Sequence, residues 1–198
     1  MKRQQQENIN TAPYYDAFFQ PPRECTKDRV IRQAEFLKLI TKPGKVLELA
    51  SGMSYFLQMV KNKFPESDVW GIDFSTTAKE RMSHEESTPE RSVNYTVGDA
   101  LNTPFRDGWF DYVASGEFIE HLDNPQDLID EMYRLTKMGG MMMLSTPHLE
   151  THDLEHLWEF EPEDIEKMFT NRGCKMEHLL LKSDISDRYY IIAWAIKK

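Results

Sequence analysis

Residues 45–54 read Lys-Val-Leu-Glu-Leu-Ala-Ser-Gly-Met-Ser. The run from Lys45 to Ala50 is short, apolar and bounded by turn residues, which is the pattern of a buried strand. Ser51-Gly52 makes a turn, and YFLQMVKNKF (55–64) follows as a helix. Upstream, Val30, Ile31, Ala34, Leu37 and Ile40 recur at helical spacing within residues 27–41, and Pro43-Gly44 stops that helix. Downstream the alternation continues. DVWGID (68–73) reads as a second strand, Thr76 to about Ser87 as a helix, VNYTV (93–97) as a third strand and WFDYVAS (109–115) as a fourth. Asn124-Pro125 opens a helix through Lys137, with Asn at the cap and Pro at the first helical position. Gly139-Gly140 ends that helix, and MMMLST (141–146) reads as a fifth strand.

Strand and helix alternating at this spacing imply parallel strands with crossover helices on both faces, an α/β chain in three layers. The tail differs. Pro162 to Arg172 reads as a short helix closed by Gly173, followed by CKMEHLLLK (174–182) and RYYIIAWAIKK (188–198). Their short connection suits an antiparallel pair. The expected sheet has seven strands, mostly parallel, and ends in a C-terminal antiparallel hairpin. Residues 1–24 are polar and Pro-punctuated, with an aromatic island at Tyr14, Tyr15, Phe18 and Phe19. They read as a mobile arm ahead of one domain at 25–198.

Composition narrows the function. The chain has 198 residues, 33 acids against 24 bases and a formal charge of -9. That length suits one domain with a full core. Hydrophobic residues at 40% and charged residues at 29% are an ordinary globular mix. The acidic balance argues against nucleic acid or an anionic membrane as partner, because phosphate binding needs clustered Lys and Arg. No apolar run approaches about 18 residues, so no membrane-spanning helix is expected. The start lacks an apolar stretch after its basic residues and does not read as a secretory signal. Cys25 and Cys174 are the two cysteines, which fits a reducing, cytoplasmic setting. Nothing in the sequence bears on oligomeric state.

In an open parallel sheet, ligands sit outside the carboxyl ends of the strands. Three acids stand at three successive strand ends: Glu48, Asp73 and Asp99. Each taken alone also reads as a polar strand-end residue. Together they suit a ligand that donates hydrogen bonds. Glu48 could accept from an ammonium, Asp73 from both hydroxyls of a ribose, and Asp99 from an exocyclic amine. A pyrophosphate would call for G-x-G-x-x-G, and of those positions only Gly52 is glycine. The expected ligand is therefore adenosine-like and carries an ammonium.

These stretches together resemble the class I S-adenosylmethionine-dependent methyltransferases, in the ubiquinone-biosynthesis-like superfamily. VLELASGMSYF is similar to the family's first motif, VWGIDFS to its second, and VGDALNTPFRDGWFDYVAS to its third and fourth. EFIEHLDNPQDLIDEMYRLTKMGGMMMLSTP is similar to the later run, so the resemblance covers roughly residues 44–147. It implies a Rossmann-like sandwich, S-adenosylmethionine as cofactor, and methyl transfer to a small-molecule acceptor by in-line displacement. It further implies that Ala50, Ser51 and Gly52 contact the methionine part, that Asp73 binds the ribose, and that Asp99 and Ala100 border the adenine. Phe74 would cover one adenine face, Glu117 would lie near the amino-acid end, and Tyr14 and Tyr15 would form a lid or else staple onto the outer surface. The chain departs from the family's acid-x-Gly-x-Gly-x-Gly, which becomes Glu48-x-Ala50-x-Gly52-x-Ser54. That departure keeps open a module that binds the cofactor without methylating.

The sulfonium methyl is already activated, so the protein mainly aligns a nucleophile and excludes water. Candidates for the acceptor side follow the fourth and fifth strands: Glu117, Glu120, His121, His148, His152 and His156, with Glu120, His121 and His148 named as catalytic. Glu117-x-x-Glu120-His121 places three donors within five residues, and His156 could add a fourth, a set for Mg²⁺ in a metal-assisted O-methyltransferase. His148, His152 and His156 also recur at four-residue intervals, but Pro147 argues against one helix carrying them. Glu150 to Glu166 holds eight acids and no Lys or Arg. It reads either as a solvated acidic segment or as a negative mouth suited to cationic substrates.

Overall fold

Val46, Leu47 and Leu49 are fully buried. A strand apolar on both faces belongs in the middle of a covered sheet, and β2 (Lys45–Leu49) lies there. The computed structural model describes residues 1–3, 8–20, 27–85, 93–149 and 155–198. Its elements run β1 (Lys2–Arg3), α1 (Ala12–Phe18), α2 (Lys27–Leu39), β2, α3 (Tyr55–Lys63), β3 (Asp68–Asp73), α4 (Thr76–Glu85), β4 (Asn94–Val97) and β5 (Phe110–Gly116). There follow a 3₁₀ turn (Ile119–His121), α5 (Gln126–Leu135), β6 (Thr136–Pro147), β7 (Trp158–Glu159), α6 (Pro162–Thr170), β8 (Met176–Lys182) and β9 (Tyr189–Ile196). Cys25, Glu150, His152 and Asp153 lie outside the described residues.

The main sheet has seven strands in the order β4-β3-β2-β5-β6-β9-β8. The first five are parallel, and β9 runs antiparallel to both β6 and β8. This is the expected three-layer architecture with its C-terminal hairpin. One face is packed by α5 and α6 through Leu128, Met132, Ile165 and Phe169. The other is packed by α2 and α3 through Phe36, Phe56 and Val60. Strand order reverses between β2 and β5, so a crevice opens at their carboxyl ends.

Two local expectations are corrected. The first concerns α2. The periodic apolar set put Val30, Ile31, Ala34 and Leu37 on its inner face. The buried residues are instead Asp28, Arg32 and Phe36, and Val30 is exposed. The helix is rotated because its polar residues have partners inside. Ser183 Oγ donates to Asp28 Oδ2 at 2.8 Å, and the Arg32 guanidinium stacks 4.0 Å from the Tyr190 ring centre.

The second concerns α5, which ends at Leu135 rather than Lys137. The carbonyls of Arg134 and Leu135 accept from Gly108 N (2.8 Å) and Trp109 N (2.9 Å), and Thr136 Oγ1 donates to Met132 O at 2.7 Å. Thr136 then pairs with Phe110, and the register resumes at Tyr112 and Met141. The glycine pair thus serves a bulge inside β6 rather than a helix end.

The aromatic arm is partly helical. Asp16, on α1, accepts from Ser75 Oγ (2.6 Å) and Thr77 N (3.1 Å), where a carboxylate favours the N-terminus of α4. Phe19 is buried against Met53, Ala78 and Met82. A second, two-stranded sheet pairs β1 with β7. No helix among the described residues is long and apolar enough to cross a membrane.

A Cβ on Gly140 would lie 2.8 Å from both Asp111 O and Thr136 Cγ2. Gly140→Ala is expected to lower stability by roughly 1–3 kcal/mol. The urea unfolding midpoint measures it, and an unchanged midpoint would show that the bulge has room.

Candidate active site

The crevice holds a cavity of about 600 Å³. Its floor is the turn after β2. Ala50 and Gly52 both take left-handed backbone, with φ of 51° and 48°. Three hydrogen bonds fix this turn to the neighbouring strands. Ser51 N donates to Ile72 O at 3.0 Å, Gly52 N to Asp73 Oδ2 at 2.8 Å, and Tyr95 Oη to Gly52 O at 2.5 Å. Burial raises the Tyr95 hydroxyl above its ordinary value, so it remains a donor. A Cβ on Gly52 would meet the Phe19 ring at 3.0 Å, which explains the one glycine retained. Ser54 caps α3 by accepting from Leu57 N at 3.4 Å. That departure from the glycine pattern has a local structural role.

Asp73 has a second task. Its Oδ1 accepts from Ser75 N at 2.9 Å, so one buried carboxylate joins the turn after β2 to the turn after β3. Burial raises its pKa, and the backbone donors oppose that shift. Beside it, Phe74 is half-buried with its ring 5.5 Å from Tyr15. Asp99 is exposed and uses Oδ1 to accept from Leu101 N at 2.8 Å, while Ala100 is buried. All four line the cavity.

Charge of both signs sits uncompensated at the inner end. Glu48 is 3% exposed, and its Oε2 has no hydrogen-bond partner among the described residues. Burial pushes its pKa up to about 8. Arg32 is 7% exposed, and its Nη1 likewise has no hydrogen-bond partner among the described residues. The Arg32 Nε lies 3.5 Å from Glu117 Oε1, which also accepts from Ser145 Oγ at 3.1 Å. Gln33 Oε1 is a further buried acceptor without a hydrogen bond among the described residues. The sequence reading missed Arg32 and Gln33. Their signal is a polar pair one residue apart that shares the Phe36 side of α2 at i+4 and i+3.

At the other end, Glu120, His121 and His156 converge, each offering one ligating atom within 4.8 Å of the others. All three are buried. Glu120 Oε2 accepts from Thr146 Oγ1 at 3.0 Å. Burial, together with the charge of Glu117, raises the Glu120 pKa to about 8. His121 Nδ1 lies 2.9 Å from Glu155 O. A carbonyl can only accept, so the proton is on Nδ1 and Nε2 keeps its lone pair. The segment carrying His156 is sewn to the 3₁₀ turn by Leu157 N to Glu120 O (2.7 Å) and Trp158 Nε1 to Leu122 O (2.7 Å).

Not every expected residue joins the cavity. Glu117 lines it, but its carboxylate is held by Ser145 and Arg32 and stands outside the three-residue convergence. His148 is not among the lining residues, since its Nε2 is 2.8 Å from Glu161 Oε2. Tyr14 is also absent from the lining, its hydroxyl donating to Glu155, whereas Tyr15 faces inward. Asn10 reaches the same place, donating to Glu155 O at 3.0 Å. Part of the acidic segment is internal to the fold: Asp164 Oδ2 accepts from Glu161 N at 3.0 Å at the start of α6. The convergent donors are two imidazoles and one carboxylate. Mg²⁺ prefers an all-oxygen, largely hydrated shell, so this set does not fit it.

This fold, with an acid at each of three parallel strand ends and a glycine turn between them, defines a class I S-adenosylmethionine-dependent methyltransferase. A family model described as a methyltransferase domain matches residues 47–144, and the chain belongs to that family. The ubiquinone/menaquinone biosynthesis C-methyltransferase of Desulfotalea psychrophila is 31% identical over 101 residues, covering 49% of this chain and 39% of that protein. Phosphoethanolamine N-methyltransferase 2 of Caenorhabditis elegans is 34% identical over 109 residues, covering 52% and 24%. The chain thus spans about two fifths of one and a quarter of the other. Among solved structures, phosphoethanolamine N-methyltransferase 2 of Haemonchus contortus in complex with S-adenosyl-L-methionine shares the fold, with a TM-score of 0.70 at 19% identity over 84% of this chain and 52% of that one.

Two outcomes are expected. Ala50 holds left-handed backbone that costs an L-residue roughly 1 kcal/mol, so Ala50→Gly should raise the urea midpoint of the ligand-free chain. A lowered midpoint would place the strain elsewhere. The Glu48 carboxyl ionises near 4.5 in the unfolded chain and near 8 in the native one. Between those values the native state holds a proton that the unfolded state has lost, so stability falls as pH rises. Glu48→Gln should make the fall in Tm across this window shallower, and an unchanged slope would exclude Glu48 as its source.

Proposed function

We propose that this chain binds S-adenosylmethionine in the cavity and transfers its methyl group to a small-molecule acceptor. The observation that carries this reading is the uncompensated pair at the inner end. Glu48 Oε2 and Arg32 Nη1 are a buried acceptor and a buried donor lining one cavity, both without hydrogen-bond partners among the described residues. Buried groups of opposite sign left this way suit a ligand that brings an ammonium and a carboxylate together. An amino acid does so, and a phosphate does not. The acids at the next two strand ends suit a nucleoside at the other end of the same ligand.

In this reading Glu48 and Gln33 accept from the ammonium, and Arg32 donates to the carboxylate. Ala50, Ser51 and Gly52 let backbone approach the methionine part. Asp73 takes the ribose hydroxyls on the lone pairs its two backbone donors leave. Phe74 and Tyr15 flank the adenine, Asp99 accepts from its amine, and Ala100 borders it. When bound, the cofactor supplies a methyl group on an electrophilic sulfonium. Residues 1–24 act as a lid through α1, with Tyr15, Phe18 and Phe19 excluding water. Glu120 and His121 orient the acceptor, and His148 is left to a structural role. The acceptor is a small molecule rather than a nucleic acid, consistent with the charge of -9.

Calorimetry with S-adenosylmethionine and S-adenosylhomocysteine tests the cofactor. Asp73→Ala is expected to weaken binding by on the order of 1–3 kcal/mol, through loss of charge-assisted hydrogen bonds. Equal affinity in that variant would remove Asp73 from the ribose. A chain whose Tm rises with NAD or ATP but with neither adenosyl compound would overturn the reading.

A further inference from the structure

The proposed cofactor contacts leave one cluster unused. We propose that Glu120, His121 and His156 bind a single divalent cation of the zinc, cobalt and manganese class at the acceptor end of the cavity. The inference rests on that end being the acceptor side of the proposed methyltransferase. The cation itself is argued from the side chains alone.

Three observations support it. The first is convergence from separate parts of the chain. Glu120 and His121 come from the turn after β5, and His156 comes from the segment after β6. Their ligating atoms lie within 4.8 Å of one another, as donors around one ion do.

The second is an acceptor with no hydrogen. Glu120 is 1% exposed, and Thr146 fixes its Oε2 at 3.0 Å. The other oxygen, Oε1, is buried without a hydrogen-bond partner among the described residues, 3.9 Å from His121 Nε2. An isolated buried carboxylate oxygen is costly, and a cation at the centre of the cluster would compensate it.

The third is the tautomer of His121. Its Nδ1 proton is committed to Glu155 O at 2.9 Å, and Asn10 Nδ2 donates to the same carbonyl at 3.0 Å. Metal-ligating histidines are oriented this way, with the outer nitrogen donating to a carbonyl and the inner lone pair aimed at the ion.

The donor set then selects the ion. Two imidazoles and one carboxylate suit zinc and its first-row neighbours, and three protein ligands leave the coordination sphere open. All three residues line the cavity, so the open positions face the space where an acceptor would lie. An oxygen- or nitrogen-bearing acceptor could complete the sphere there. Mg²⁺ would compete poorly because it favours oxygen ligands and retains its water.

The test uses the tag-free chain, stripped with a chelator and dialysed. Calorimetric titration with Zn²⁺ is expected to give one equivalent per chain, undiminished by a large excess of Mg²⁺. His121→Ala and His156→Ala should each weaken that binding at least tenfold. Melts of the metal-free variants check that they fold. If either does not, the visible d–d spectrum of the Co²⁺-loaded parent decides: intense bands from a low-coordinate, nitrogen-ligated site support the proposal. Absence of stoichiometric uptake, uptake untouched by both folded variants, or a Co²⁺ spectrum no different from the hydrated ion would overturn it. Binding of S-adenosylmethionine is measured separately on the same metal-free chain. Metal uptake without cofactor binding would sink the methyltransferase reading and leave the cation site standing. Cofactor binding without metal uptake would do the reverse.

Discussion

One carboxylate holds the ligand-binding edge of this molecule together. Asp73 takes the amide of Gly52 on one oxygen and the amide of Ser75 on the other. Those amides belong to the turns that leave two adjacent parallel strands. Parallel strands are tied to each other by ladder hydrogen bonds, but their exit turns are not, and each is free to splay unless something spans them. A buried anion with two charge-assisted donors is a strong clamp. Tyr95 fixes the opposite side of the same turn by donating to the Gly52 carbonyl. The cavity floor is thereby set before any ligand arrives, and Ala50 is held in a backbone conformation that it would not choose alone.

The fold tolerates several polar groups that its own atoms do not satisfy. Glu48 and Glu120 are driven toward the neutral form by burial, and Arg32 keeps a donor nitrogen without a hydrogen bond among the described residues. Each costs stability in the free chain. They are not scattered through the core. All three line one cavity at the switch point of the sheet, while the surrounding apolar clusters are well buried. Misfit concentrated in one place is the mark of a site whose complement comes from outside.

Much of this was legible in the sequence because it depends on short-range pattern. The strands from β2 to β6 declare themselves as apolar runs between turn residues, and their spacing dictates parallel pairing. The acids at positions 48, 73 and 99 stand out because they end those runs. What the pattern hid was tertiary. Periodicity assigned α2 the wrong inner face, because Asp28 and Arg32 are drawn inward by Ser183 and Tyr190, from more than 150 residues away. It carried α5 two residues too far, since the Gly108 and Trp109 amides capture its last carbonyls. Spacing grouped Glu117 with Glu120 and His121, yet a local helix face says nothing of Arg32 and Ser145, which hold Glu117 elsewhere. The pairing of His121 with His156 needs two loops to meet, and no sequence period records that.

The helix α1 is fastened on both flanks of the crevice. Asp16 grips the start of α4 on one side, and on the other Tyr14 and Asn10 reach Glu155, beside His156. A guest of nucleoside size cannot pass a strap anchored at two points without releasing one of them. Occupancy and fastening are therefore a single equilibrium: whatever fills the chamber lengthens the time the strap stays shut. Guests would then depart at the pace at which Asp16 or Tyr14 lets go, and affinity would be set in part by contacts that never touch the guest.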